Sequence, residues 1–167
     1  MEVAEEIMMQ SEEEMRHRAA ALRLPAGNRL DKAMKLRHKA LVDSLFHKGR
    51  NCYSYPLRCL WLASTDAETE KLFRMGMPPR VARLQFLITV PKKRQRHAVD
   101  RVLLRRRIRE AFRLQRHILY PLLERHPEIR CLRLAFIYIS PTIEPYGKIA
   151  RKMREIFEKM LNVEWGN

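Results

Sequence analysis

Arg105, Arg106, Arg109, Arg113 and Arg116 recur at spacings of three and four, the spacing that stacks side chains along one face of a helix. A guanidinium fork meets phosphate oxygens two at a time and also stacks on bases. A rigid row of such forks suits the backbone of a folded RNA or of DNA. The segment just ahead, Pro91-Lys92-Lys93-Arg94-Gln95-Arg96-His97, carries the charge beyond the helix. Over residues 92–116, eleven Lys and Arg stand against Asp100 and Glu110 alone, a net charge of +9. A helix face that is merely solvated mixes its signs; this one does not. The chemistry is polyanion binding, and affinity should fall steeply with salt, because each neutralised phosphate releases counterions.

Chemistry of other kinds finds little support. The six His show no metal-ligand spacing such as HExxH, and His117 and His126, flanking a proline turn, read as surface residues. There is no GxSxG, P-loop or GxGxxG among only five Gly. Carboxylates are scarce in the basic segment, which argues against a two-metal nuclease. Cys52, Cys59 and Cys131 form no CxxC pair, which suits a reducing cytoplasm better than a disulfide framework. A basic helix also fits a membrane surface or a calmodulin groove, but the charged loop ahead of it argues against both. The longest apolar run, Leu134 to Ile139, is strand-sized, far short of the ~18 residues of a membrane span.

The whole chain has 167 residues and a net charge of +15, a size for one domain with a real core. Residues 1–15 hold six Glu and no Lys or Arg, so the remainder carries +21. Residues 1–27 read as an acidic then basic N-terminal extension, disordered or partly helical, broken by Pro25-Ala26-Gly27-Asn28. The domain proper spans 28–161, with a C-terminal tail over 162–167. Within it, residues 32–47 have helical periodicity, with Met34, Leu41, Val42, Leu45 and Phe46 apolar and Gly49 as C-cap. Residues 57–64 form a strand, and 65–79 a long polar connection. Residues 80–90 alternate: Ala82, Leu84, Phe86, Ile88 and Val90 point to a core, while Arg83, Gln85 and Thr89 point to an open face. Residues 98–119 return to helical period, with Asp100 as N-cap. Leu103, Leu104, Ile108, Ala111, Phe112, Leu114 and Leu119 lie opposite the arginines, and Pro121 and Pro127 end the region. Residues 131–140 form a nearly continuous apolar strand, hence central. A last helix, capped by Thr142 and running to Leu161, buries Ile149, Met153, Ile156, Phe157 and Met160. The pattern predicts an α+β sandwich of two layers, helices on one mixed sheet, with a βαβ crossover.

The run Val90-Pro91-Lys92-Lys93, then Ala98-Val99-x-Arg101, then Arg105-Arg106-Arg107-Ile108-Arg109-Glu110-Ala111-Phe112-Arg113 resembles the signature of the bacterial ribonuclease P protein component. That family reads approximately V-S-K-K, a glycine-containing loop, A-V-x-R-N-R-x-K-R-x-x-R-E-A-F. Arg29-Leu30 ahead of a helix ending Leu45-Phe46-x-x-Gly49 agrees, as does the order of elements; the likeness spans roughly 28–161. The chain departs from the family in having Arg101-Val102-Leu103 for Arg-Asn-Arg, in a longer loop without its glycine, and in Val42 where the family has an aromatic. The acidic extension has no family counterpart.

The resemblance implies a left-handed βαβ crossover, an exception to the usual hand. It implies that the protein has no catalytic residues and that the ribonuclease P RNA performs the hydrolysis with Mg²⁺, removing the 5′ leader of precursor tRNA. By the same resemblance, Lys92, Lys93, Arg101, Arg105, Arg106, Arg109 and Arg113 would bind the RNA subunit. Phe46, Gln85, Thr89 and Trp61 would line a cleft for the single-stranded leader, with Tyr55 a further stacking candidate. For Phe46 and Trp61, core packing is the competing expectation. Neither a membrane nor DNA is an expected partner. The charge alone also fits a structural RNA-binding protein, such as a ribosomal protein or an RNA chaperone.

Overall fold

The computed structural model describes residues 2–21, 24, 27–65, 67, 71 and 82–165. The polar connection expected over 65–79 lies largely outside these residues. Four strands form one mixed sheet in the order β1-β2-β4-β3: β1 Arg50–Ser54, β2 Leu57–Thr65, β3 Leu84–Thr89 and β4 Ile129–Tyr138. Neighbours pair antiparallel except β3 with β4, which are parallel. The helices are α1 Glu2–Ala21, α2 Lys39–Lys48, α3 Ala98–Gln115, α4 Tyr120–Arg125 and α5 Tyr146–Leu161. A parallel pair requires a crossover, and α3 and α4 supply it. The expected α+β architecture with a mixed sheet holds.

The apolar run of β4 takes the inner position that it demands. Nine of its ten residues are buried, and both of its edges are paired. Leu132, Leu134, Phe136 and Tyr138 face α3 and α5, where the expected stripe Ile149, Met153, Ile156, Phe157 and Met160 closes the main core. Phe112 of α3 is its hub, with ring centroids 4.3 Å from Phe86, 5.7 Å from Phe136 and 6.4 Å from Phe157. Each such buried side chain contributes about 1.5–3 kcal/mol, so α3 is rigidly seated. The other sheet face carries a smaller core, in which Leu41 and Leu45 of α2 meet Leu60, Ala135 and Ile137. Burial raises the Cys59 thiol and pushes Cys131 up to about 12, so both stay protonated and inert.

Several local expectations are corrected. The helix over 32–47 divides into a 3-10 turn, Lys32–Met34, an extended stretch, and α2. Lys35 bridges Phe86 in parallel, and the Leu36 amide donates to the Phe86 carbonyl at 2.9 Å. Pairing with the exposed edge of β3 outweighs helical propensity there. Gly49 does cap α2, and a Cβ on it would collide with the Leu45 carbonyl oxygen. That close approach lets β1, a strand too polar to announce itself, follow at once.

Asp100 is the third residue of α3, not its cap; His97 holds the cap position, and Asp100 instead complements the positive helix end. Pro121 opens α4 rather than ending a helix. Pro145, not Thr142, precedes α5, while the Thr142 carbonyl accepts a hydrogen bond from the Tyr138 hydroxyl. Leu103 and Leu114, expected inside, are 38% and 37% exposed. In the segment expected to be a tail, Trp165 stacks on Trp61 at 4.3 Å and donates to the Met160 carbonyl.

Candidate nucleic-acid interface

The outward face of α3 and the loop before it form one cationic surface. The loop is pinned from below. Buried Gln95 donates to the Ser140 carbonyl at 3.2 Å, and the amides of Arg94 and Gln95 both donate to the Pro91 carbonyl. Arg101 reaches back and donates to the carbonyls of Gln95 and Arg96 at 3.0 and 2.8 Å. It therefore fixes the loop on the start of the helix. Lys92, Lys93, Arg94 and Arg96 are left exposed, in line with exposed Arg106 and Arg109 on α3.

The remaining arginines divide by environment. Arg113 holds Glu110 bidentately at 2.6 and 2.8 Å, and this bond holds the Glu110 carboxyl below its usual range. Arg107 donates to the Glu144 carbonyl at 2.6 Å and ties down the loop before α5. Arg116, expected on the basic face, is 1% exposed. It donates to the carbonyls of Gly27 and Arg29 at 2.8 and 2.7 Å, with Met34 Sδ at 2.9 Å. The segment over 27–34 lies across this end of α3 and supplies the carbonyls and the sulfur that enclose the Arg116 guanidinium.

Arg105 is half-buried and faces a cleft of about 220 Å³ whose walls include Lys35, Arg37, Leu36, Leu87 and Arg109. Four cations surround an apolar floor at the outer edge of β3. Lys35 and Arg37 are site residues that sequence reasoning missed. The alternation Lys35-Leu36-Arg37, with only Leu36 buried, is a strand signal hidden inside a stretch of helical periodicity.

The cleft leads to the second sheet face. There Tyr53, Arg58, Ile137 and Thr89 stand in register across all four strands. Tyr53 is 52% exposed, and the Arg58 guanidinium lies 5.6 Å from its ring centroid. Phe46 on α2 is 46% exposed, so it is not a core residue; Leu45 beside it fills that place. An exposed ring beside a cation is what stacking on single-stranded bases requires.

The other expected leader residues do not join this set. Gln85 shares the face but is buried, donating to the Ala33 carbonyl at 3.1 Å and accepting from the Cys131 thiol. Arg83, also expected in the open, is buried with its guanidinium on the carbonyls of Leu123, His126 and Ile129. Thr89 alone of that row keeps partial exposure. Trp61 lies on the opposite face, 5% exposed, between Trp165 and the Arg50 guanidinium. Tyr55 is half-exposed and donates to Ser140 Oγ at 2.8 Å. Among the described residues no group of three or more His, Cys, Asp or Glu is placed to hold a metal ion, and no helix is long and apolar enough to cross a membrane.

Comparison with known proteins points one way. Residues 30–132 match the family model described as Ribonuclease P. A Ribonuclease P protein component of Porphyromonas gingivalis strain W83 is 29% identical over 126 residues, covering 75% of this chain and 82% of the relative. That of P. gingivalis strain ATCC 33277 is 29% identical over 131 residues, covering 78% and 85%. Among solved structures, the Staphylococcus aureus RNase P protein superposes with a TM-score of 0.55 at 18% identity, over 79% of this chain and 98% of its own.

Proposed function

The chain belongs to the ribonuclease P protein family and is an RNA-binding protein subunit of ribonuclease P, an endoribonuclease ribonucleoprotein of tRNA processing; on that premise we propose how the labour is divided. The ribonuclease P RNA performs the hydrolysis in the cytoplasm, and this chain positions the precursor tRNA and its 5′ leader. The observation that carries the proposal is the row of exposed cations, Lys92, Lys93, Arg94, Arg96, Arg106 and Arg109, on an element anchored by Phe112. Cations fixed on a packed helix meet RNA phosphates without ordering flexible side-chain carriers. Arg101 acts by holding the loop, and Arg113 contributes less because Glu110 already occupies its fork.

Arg105, Arg109, Lys35 and Arg37 continue the track around the edge of β3 to the second sheet face. There Phe46, Tyr53, Arg58 and Thr89 receive the leader as a single strand, by stacking and by phosphate contact. Mg²⁺ belongs to the RNA in this scheme. The exposed residues of the proposed interface, Lys92, Lys93, Arg94, Arg96, Arg106 and Arg109, are cations rather than the carboxylate oxygens that Mg²⁺ prefers, and what this chain does is lower the repulsion between two RNA backbones. Neither DNA nor a membrane takes part.

Reconstitution tests the proposal. The purified chain alone should cleave nothing, and it should restore 5′ maturation of precursor tRNA when mixed with its cognate RNA subunit at a Mg²⁺ concentration where that RNA alone is slow. Failure to stimulate a matched RNA subunit would overturn it.

A further inference from the structure

The cationic row along the outward face of α3 has a gap. Lys92, Lys93, Arg94 and Arg96 stand exposed on the loop, and Arg106 and Arg109 stand exposed on the helix. Neither arginine between the two groups serves the row. Arg101 turns back to the carbonyls of Gln95 and Arg96, and Arg105 faces the cleft beside β3. The outward surface of the first turns is apolar instead. Val99, Val102 and Leu103 are 79%, 39% and 38% exposed. At 100° per residue, Val99 lies within about 20° of Arg106 and about 10 Å from it along the axis. Val102 and Leu103 flank that line by about 50° on either side.

The free protein gains nothing from this surface. A β-branched valine loses rotamer freedom in a helix, and at this exposure no core contact offsets the loss. A single exposed apolar side chain needs no explanation, but a contiguous set marks a contact surface. Its surroundings choose the partner. The exposed cations bracket the triplet at both ends, so an RNA that neutralises both groups must pass over it. Phosphates and ribose hydroxyls would lose water against three apolar side chains with no hydrogen bond in return. The apolar parts of RNA are the faces of its bases. In a duplex these are stacked away, and only an unpaired nucleotide turns one outward.

We propose that Val99, Val102 and Leu103 form a seat for an unpaired base of the RNA that this cationic surface binds. That the ligand is RNA rests on the functional reading above; that a base sits here does not follow from it. The seat supplies a contact that salt does not screen. Arginine–phosphate contacts release counterions and weaken as salt rises, whereas packing of side chains on a base face releases none. It also distinguishes a folded RNA with an unpaired base at this place from a duplex of equal charge, which phosphate contacts alone do not.

The test compares the full-length protein with Val102→Ser plus Leu103→Ser, and with Arg106→Ala, on two probes: the cognate RNA subunit and a fully paired RNA duplex. Serine is close to valine in helix propensity and both positions are exposed, so the urea midpoint should stay in place. On the RNA subunit the serine variant should bind about tenfold more weakly at every salt concentration, the effect of withdrawing about two methylenes from contact. Its slope of log affinity against log salt should be unchanged, while Arg106→Ala should flatten that slope. On the duplex the serine variant and the wild type should bind alike. Full affinity of the serine variant for the RNA subunit overturns the seat. So does a flattened slope, which makes the loss a displaced phosphate contact, and so does equal weakening on the duplex, which removes the base from the contact. Sedimentation of the RNA-free protein covers the remaining occupant: a wild-type dimer that the serine variant dissolves would assign the triplet to a second copy and overturn the seat too. A wild-type protein that fails to bind its RNA subunit sinks the functional reading itself, whereas each of the other outcomes bears on the triplet alone.

Discussion

Arg106 and Arg116 are separated by ten residues and by almost everything else. Arg106 stands in solvent on the outward face of α3. Arg116 is enclosed, its fork shared between the Gly27 and Arg29 carbonyls. Arg83 repeats the second arrangement on three carbonyls around the start of β4. The comparison separates two uses of one side chain. A hydrated guanidinium exchanges water for phosphate and stays available to a partner. A buried one must be satisfied internally, because an unmet charge in low dielectric is costly. It becomes a pin that ties loops to the core. Counting arginines measures the sum of the two uses, and only the first makes an interface.

The largest expected effect comes from breaking a pin. Arg116→Ala removes the donors of two carbonyls and leaves a void beside Met34, so it should destabilise the fold by about 3 kcal/mol. The shift in urea midpoint at unchanged m-value measures it. A loss within the roughly ±0.5 kcal/mol usual for surface changes would place Arg116 with the interface arginines after all.

Arg105→Ala with Arg109→Ala should do the opposite, leaving the urea midpoint nearly unchanged and weakening RNA binding. The slope of log affinity against log salt should flatten by roughly one unit for each phosphate that is no longer neutralised. Binding titrations against structured RNA at several salt concentrations supply that slope. An unchanged slope means that the cleft beside β3 faces only water.

The contrast also explains what is legible in the sequence. Periodicity finds α3 and α5, because Ile108, Phe112, Ile156 and Phe157 repeat at helical spacing on one face, and it finds β4, whose apolar run admits no solvent face. The cationic loop and helix are legible as charge. The fate of each arginine is not. Whether a side chain is enclosed depends on neighbours distant in the chain, such as Gly27 for Arg116 or Ile129 for Arg83. The helical phase that puts Arg116 outside is right about the helix but blind to the chain at Gly27 and Arg29 that closes over it, a contact that leaves no mark in composition. Alternation on β3 correctly separates two faces, but it points Gln85 into the open because polar residues usually are exposed. The segment over 33–37 covers it, and the periodicity of that segment is that of an α-helix although its backbone leaves a short 3-10 turn at Met34 and runs extended from Lys35. One ambiguous stretch thus hides both a buried residue and the cations Lys35 and Arg37 of the cleft. Trp61 has the ring for stacking on the leader, yet its position in β2, in register with Leu134, puts it on the core face.

Arg113 stands between the two classes and gives the smallest effect. It is partly exposed, yet its fork is filled by Glu110. Glu110→Gln should release it, so RNA affinity at neutral pH should rise modestly where Arg106→Ala lowers it. Acid titration of stability supplies a second readout. The Arg113 hydrogen bond lowers the folded-state pKa of Glu110 below its ordinary 4.5. The pair's contribution is therefore complete above about pH 4.5 and lost as pH falls through the lower folded value. In Glu110→Gln that part of the acid limb should vanish, while the rest of the curve keeps its shape. If the variant gains RNA affinity but its acid limb is unchanged, the pair is too solvated to hold Arg113, and Arg113 belongs with Arg106. If the acid limb changes without a gain in affinity, Arg113 points away from the RNA, and the interface ends at Arg109.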